Sequence, residues 1–240
     1  TDDIYVGYRY FETIPGAAEK VVYPFGYGLS YTTFDVETVS AGVVNSNCTS
    51  EANKLYAKVR VTNTGKFSGK EVVQVYIAKP QGKLGKPAKE LAAFEKTREL
   101  QPGESQLMIL TWEINDMASY DDLGKVKKSA YVLEAGSYDI YVGTSVRDVT
   151  KADYSYILNH DVITEQLSAK LVPTSLPKRM LADGSYEALP QSEPVDTDYS
   201  AIGNIDPSLT EGVAPGQRAI PYFRFADGMA KNGSHDIMDV

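Results

Sequence analysis

Hydrophobic and polar residues alternate along much of the chain between residues 34 and 158, a pattern typical of β-strands that bury one face. In the segment KLYAKVRVTN (54–63) every second residue is apolar, and an Asn-Thr-Gly turn ends the run. The segments 70–80, 105–114 and 136–145 repeat the pattern and predict three more strands. The predicted core residues of the four strands are Leu55, Ala57, Val59, Val61, Val73, Val75, Ile77, Met108, Leu110, Trp112, Ile114, Tyr138, Ile140 and Val142.

Turn sequences separate these strands and predict the fold class. QPGES (101–105) and EAGSY (134–138) place Gly and Pro directly before alternating runs, and KELAAFEKTREL (89–100) adds Leu91, Phe94 and Leu100 as candidate core residues. No segment shows the period of an amphipathic helix longer than one or two turns. We therefore predict an all-β fold, an antiparallel immunoglobulin/fibronectin type III-like β-sandwich spanning residues 34–158.

The strand pattern ends near residue 158. Residues 159–240 contain seven prolines, and 12 Asp and Glu residues against 6 Lys and Arg residues. Prolines at this spacing exclude long helices and central strands, so we predict an extended, mostly irregular C-terminal arm over residues 159–240. Within it, DVITEQLSAKL (161–171) is interpreted as a short helix.

The stretch VVYPFGYGLSYTTFD (21–35) follows neither pattern. It combines large aromatic residues with Pro24, Gly26 and Gly28, which makes it too aromatic for a solvent loop and too broken for a helix. Gly and Pro allow tight turns, while the rings remain large enough to fill deep pockets. We therefore expect this stretch to pack against a surface.

Composition and charge exclude several classes of function. A net charge of −8 and a pI near 4.9 give no basic surface for nucleic acid or anionic membranes, and no apolar stretch reaches the length of a membrane span. The single cysteine, Cys48, cannot form an intramolecular disulfide and is interpreted as a surface thiol. Together with a start that lacks a signal-peptide pattern, it favours a cytoplasmic over a secreted location. That start is typical of a piece from inside a longer chain.

Candidate chemistry is sparse. His160 and His235 lack neighbours at metal-ligand spacing, and the chain contains no nucleophile elbow, P-loop or dinucleotide-binding motif, so we expect no catalytic, metal or cofactor site. Acidic pairs are frequent, but Asp121-Asp122 is interpreted as an ordinary solvated turn rather than part of a catalytic pair. The 17 tyrosines and 7 phenylalanines could form a sugar-stacking surface, although most are expected to serve packing.

Several blocks of the sequence resemble family-3 glycoside hydrolases in order. DDIYVGYRYFET and VVYPFGYGLSYTTF are similar to the junction between that family's α/β sandwich domain and its fibronectin type III-like domain. The resemblance continues through VRVTNTGKFSGKEVVQVYIAKP, KPAKELAAFEKTRELQPGES, MASYDD and EAGSYDIYVGTSVRD. Residues 162–190 and RAIPYF resemble the connector of members in which these domains precede the catalytic barrel. The resemblance thus implies three regions: 1–33, the end of the α/β sandwich domain and a linker; 34–158, the sandwich; and 159–240, a connector toward the barrel.

The resemblance also implies a function. The parent would be a retaining β-glucosidase that hydrolyses terminal β-D-glucosides with an Asp on the barrel and a Glu on the α/β sandwich domain. No residue of this chain matches either motif, so these 240 residues alone are expected to be inactive. The chain would clamp the catalytic domains, with the loop 79–90 as the candidate to shape the active-site rim. Two alternatives stay open: a stand-alone carbohydrate-binding module and a protein-interaction domain.

The aromatic stretch then has a predicted partner, since it would form the seam with the α/β sandwich domain of the same enzyme. We expect no nucleic acid, membrane or cofactor to take part. The predicted seam residues are Tyr8, Arg9, Tyr10, Phe25, Tyr27 and Tyr31.

Overall fold

Twelve strands and three short helical turns form the described part of the chain in the computed structural model, which covers residues 3–44, 53–168 and 176–189. The strands are β1 Phe34–Val43, β2 Lys54–Asn63, β3 Val72–Ala78, β4 Glu90–Lys96, β5 Ser105–Glu113, β6 Ser119–Asp121, β7 Ala130–Leu133, β8 Gly136–Gly143, β9 Val149–Leu158, β10 Val162–Gln166, β11 Lys178–Met180 and β12 Tyr186–Ala188. The helix α1 spans Tyr8–Phe11, and 3-10 turns span Ala18–Lys20 and Asn115–Met117. Cys48, His235 and the arm beyond residue 189 lie outside the described residues.

Two antiparallel sheets pack face to face and form the predicted sandwich. One has the strand order β1-β2-β5 and the other the order β4-β3-β8-β9. The four predicted strands are β2, β3, β5 and β8, and each of their predicted core residues is at most 6% exposed. These side chains form one apolar cluster that joins both sheets, because alternate residues of each strand face the same side. The all-β, fibronectin type III-like prediction is confirmed.

Two predicted core residues of the segment 89–100, Leu91 and Phe94, are wrong. Leu100 is fully buried, whereas Phe94 is 68% exposed and Leu91 is only half-buried. Both lie on β4, where Phe94 pairs with Gln74 and Leu91 pairs with Tyr76 across a register shift. Gln74 and Tyr76 are on the face of β3 that points away from the core, so their partners point away from it too.

Residues after 158 contain more regular structure than the sequence predicts. Within the segment 161–171 that is interpreted as a helix, Val162–Gln166 form the strand β10, which pairs with β7 in a third sheet of order β10-β7-β6, and residues 169–171 lie outside the described residues. Its pairing with β7 determines its conformation, which local sequence cannot report. Further along, β11 and β12 form a two-stranded hairpin.

Candidate functional site

Residues 3–33, which we call the N-terminal segment, cover the outer face of β3. The Tyr8 ring stacks on Phe25 with a centroid distance of 4.4 Å and meets the Tyr76 ring edge-on at 6.2 Å. The Tyr8 hydroxyl accepts a hydrogen bond of 2.8 Å from the backbone N–H of Leu91. Tyr76 is fully buried, and burial raises the pKa of its phenol well above the usual range. Both faces of β3 are therefore inside the protein.

Gln74 fixes the turn that carries Phe25. Its amide Nε2 donates to the carbonyl oxygens of Thr144, at 2.6 Å, and Gly26, at 3.3 Å, and its Oε1 accepts from the Tyr76 hydroxyl at 2.5 Å. Gly26 has a φ of +83°, and a Cβ at this position would overlap the Gln74 amide. The backbone oxygen of Phe25 also accepts from the N–H of Val146 at 2.9 Å. The turn is thus held rigidly against the sandwich.

Charged and polar pairs tie the beginning of the N-terminal segment to the same sheet. The Arg147 guanidinium donates to both Glu12 carboxylate oxygens, at 2.9 and 3.1 Å from Nε, and to the carbonyl oxygen of Ala18. Arg9 lies 3.8 Å from the Glu90 carboxylate. The N-terminal segment therefore belongs to the folded unit of the sandwich.

The surface that this segment presents outward is strongly apolar. We define the apolar patch as Val22, Tyr23, Leu29 and Tyr31, of which Tyr31 is 96%, Leu29 88% and Val22 82% exposed. Tyr23 stacks on the half-exposed Tyr27 at 5.1 Å. Beside the patch an open cleft of about 230 Å³ is lined by Gly7, Tyr8, Phe11, Glu12, Val21, Tyr23 and Phe25. Large exposed apolar side chains grouped within one short segment are typical of interaction surfaces.

Some of the six predicted seam residues contact the sandwich, and others are exposed at or near the apolar patch. Tyr8 and Phe25 come together on β3, and Arg9 faces Glu90. Tyr10 packs against Phe11 at 5.3 Å, Tyr27 lies on Tyr23, and Tyr31 is almost fully exposed. Val22, Tyr23 and Leu29 were missed, although they lie in the same aromatic stretch. That these residues contact another domain stays a prediction.

A buried carboxylate organises the loop 79–90. Glu134 accepts hydrogen bonds from the N–H groups of Lys83, at 2.6 Å, and Leu84, at 3.1 Å, and forms an ion pair with the buried Lys86 ammonium. Gly82 approaches so closely that a Cβ there would overlap the Glu134 carboxylate. The loop is therefore anchored at its middle, while the Lys83 side chain remains 62% exposed.

The interpretation of Asp121 as a solvated turn residue is wrong. Asp121 is fully buried and accepts four backbone hydrogen bonds of 2.7 to 3.0 Å from residues 124–127. Burial alone would raise the pKa of this carboxyl, but the four N–H groups outweigh it and hold the pKa below its usual range. Its acceptor sites are used within the protein, so the group organises a loop and does not face a substrate.

The described residues offer little else for chemistry. Within them no group of three or more His, Cys, Asp and Glu side chains is placed to hold a metal ion, and His160 is exposed. None of the helices in this part of the chain has the length and hydropathy of a membrane span.

Comparison with known proteins extends the picture beyond geometry. Residues 71–146 match the family model of the fibronectin type III-like domain. Beta-glucosidase A of Butyrivibrio fibrisolvens is 62% identical over 210 residues, which make up 84% of this chain and 25% of that protein. A crystal structure of a β-glucosidase from Paenibacillus barengoltzii is 45% identical with a TM-score of 0.69, and the match covers 80% of this chain and 22% of that one.

A family-3 β-glucosidase of Bifidobacterium adolescentis is 32% identical with a TM-score of 0.54, and the match covers 70% of this chain and 23% of that structure. The sandwich is therefore a fibronectin type III-like domain of the kind found in β-glucosidases. Over 70 to 84% of its length the chain is similar to one region of these β-glucosidases, among them a family-3 enzyme. It spans about a quarter of the length of these relatives.

Proposed function

We propose that this region clamps the catalytic domains of a β-glucosidase, and that the apolar patch docks on the α/β sandwich domain of the same polypeptide. The observation that carries the proposal is the exposure of Leu29 and Tyr31 beside a turn that Gln74 holds rigid. Apolar side chains close to an anchored turn start from a partly restricted backbone, which lowers the conformational entropy lost when a partner covers them. The predicted seam at Tyr8, Arg9, Tyr10, Phe25, Tyr27 and Tyr31 would then be contacted through its outward-facing members.

The energy available from such docking is sufficient to fix a domain. A ring that buries 150 to 250 Å² at roughly 25 cal/mol per Å² contributes about 4 to 6 kcal/mol before entropy is subtracted. By resemblance, the docked domain carries the acid/base Glu of the parent, and a displacement of about 1 Å in a catalytic group can cost on the order of a hundredfold in rate. The clamp would thus support hydrolysis of terminal β-D-glucosides without touching the reacting atoms.

The loop 79–90 is the candidate for a contribution to the active-site rim. Its middle is anchored by Glu134, and its exposed Lys83 gives it a polar tip. Anchored loops on rigid scaffolds are common places for residues that shape a binding site.

The docking proposal is tested by replacing Leu29 and Tyr31 together with Ser in the full-length enzyme. We expect a lower melting temperature and a kcat reduced at least tenfold, because the domain that holds the acid/base Glu loses its support. Phe94→Ser is the matched control, since Phe94 is similarly exposed but lies on the edge strand β4. If the double variant behaves like this control, the docking proposal is wrong.

The 240-residue chain alone is expected not to hydrolyse p-nitrophenyl β-glucoside. Neither carboxylate of the family mechanism matches a residue of this chain. Turnover that survives repurification and disappears when one Asp or Glu of this chain is mutated would overturn the non-catalytic role.

A carbohydrate-binding role is the second candidate, and one exposed ring pair favours it. Tyr120 and Tyr131 lie opposite each other on β6 and β7 with a centroid distance of 5.4 Å. Titration calorimetry of the chain with cello-oligosaccharides separates the two roles. Saturable heat that Tyr131→Ala abolishes would support the binding module, and absence of heat would support the clamp.

A further inference from the structure

The two ends of the described chain meet at one arginine. Arg179, on β11, places its Nε 2.7 Å from the Asp3 carboxylate, and its NH2 group pairs with the Asp122 carboxylate. Only 18% of the Arg179 side chain is exposed. One guanidinium therefore joins the start of the N-terminal segment, the loop after β6 and the hairpin β11–β12.

This junction helps to hold the hairpin in place. Each strand of the hairpin has only three residues, and an isolated two-stranded hairpin is marginally stable in water. The planar guanidinium can serve two carboxylates at once, and its charge offsets the repulsion between Asp3 and Asp122. A second ion pair, Lys125 to Glu187 at 2.9 Å, holds β12 to the same loop.

Apolar residues of the N-terminal segment also pack near the hairpin. The hairpin turn at Gly184 lies against Ile14 of the N-terminal segment. Tyr5 is 8% exposed, and burial raises the pKa of its phenol, with the carboxylates of Asp3 and Asp183 raising it further. The hairpin is thus packed on the N-terminal segment by charged and apolar groups together.

We propose that Arg179 is a positioning residue that couples the incoming and outgoing ends of this region, so that the domains on either side share one relative pose. If the apolar patch were the single contact with a neighbouring domain, that domain could still rotate about it. Arg179 supplies a second point of attachment, because it holds the chain at residue 3. The coupling is a property of this chain, and only its consequence for catalysis rests on the proposed function.

The coupling is tested by hydrogen exchange in the full-length enzyme. Arg179→Ala is expected to speed exchange about tenfold both in the hairpin and in residues 3–14, since Arg179 pairs with Asp3 and the hairpin that it anchors lies against Ile14. Lys178→Ala is the matched control: it removes a cation from the same strand, and Lys178 lies over the Tyr186 ring within the hairpin. Faster exchange in the hairpin alone, with residues 3–14 unchanged, would overturn the coupling.

A kinetic measurement tests the positioning role and separates it from loss of folding. Arg179→Ala is expected to lower kcat about tenfold with KM nearly unchanged. Arg179→Lys keeps the charge but can pair well with only one carboxylate, so it is expected to recover part of kcat. An unchanged kcat, or an equal loss in both variants, overturns the role. If the Leu29 and Tyr31 double variant is fully active while Arg179→Ala still speeds exchange at residues 3–14, the docking proposal fails and the coupling stands.

Discussion

Two positions of the same aromatic stretch differ in how far they are covered. Phe25 stacks on Tyr8 over the buried Tyr76 and is 44% exposed, whereas Leu29 and Tyr31, only a few residues later, are 88% and 96% exposed. Both positions contain large apolar side chains, so hydrophobicity does not separate them. They differ in backbone anchoring, because Gln74 and Val146 hold residues 25 and 26 on the sandwich. The anchored turn at residues 25 and 26 belongs to this domain, and the exposed patch residues on both sides of it are left for a partner.

The largest loss of stability is expected for a substitution in the core. Trp112 is buried among both sheets, so Trp112→Ala should reduce the free energy of unfolding by about 3 to 5 kcal/mol. The wild-type fluorescence should be blue-shifted and poorly quenched by acrylamide. A red-shifted, readily quenched emission would show that Trp112 lies on the exposed face of β5 and not in the core.

Asp121 shows how much a single anchoring group can stabilise. Asp121→Asn replaces two acceptor oxygens with one and should reduce the free energy of unfolding by about 3 kcal/mol at neutral pH. Because the folded pKa of Asp121 is lowered, its stabilisation is present above the unfolded pKa of about 3.9 and is lost as pH falls through the folded value. The gap between wild type and variant, measured by urea unfolding, should therefore close below pH 4. A gap that is constant from pH 7 to pH 3 would show that the charge is not responsible.

Gly26 lies at an anchored position of the chain, whereas Gly28, two residues later, lies at an unanchored one. Gly26→Ala should reduce the free energy of unfolding by about 2 kcal/mol, because its φ is positive and a Cβ would meet Gln74. Gly28→Ala should be nearly neutral, since a Cβ there meets no atom within 4 Å. Equal effects of the two substitutions, measured by thermal unfolding, would contradict the anchoring explanation.

Phe25 and Leu29 should also differ in the cost of truncating their side chains. In the 240-residue chain, Phe25→Ala should cost about 1 to 2 kcal/mol through the lost stack on Tyr8, while Leu29→Ala should stay within about 0.5 kcal/mol. Chemical denaturation of both variants provides the measurement. A large loss for Leu29→Ala would mean that this residue belongs to the sandwich itself.

Sequence pattern predicted the inner faces of β2, β3, β5 and β8, because strand period and burial agree there. It failed for Phe94, which pairs with Gln74 on the outer face of the sheet, and for Leu91, which a register shift between β3 and β4 brings to the same face. It also failed for Asp121, whose partners are backbone groups that have no sequence signature. In the aromatic stretch it identified a surface that packs, yet it could not separate the anchored turn at Phe25 and Gly26 from the exposed residues on both sides of it. That division depends on Gln74, which is distant in the chain.

Hydroxyl-radical footprinting tests the docking proposal most directly. The oxidation rates of Tyr23, Leu29 and Tyr31 are compared between the isolated chain and the full-length enzyme, with Phe94 as the internal reference. We expect at least fivefold protection of the three patch residues in the full-length enzyme and an unchanged rate at Phe94. Equal oxidation of the patch in both proteins would contradict the proposal that it docks on another domain.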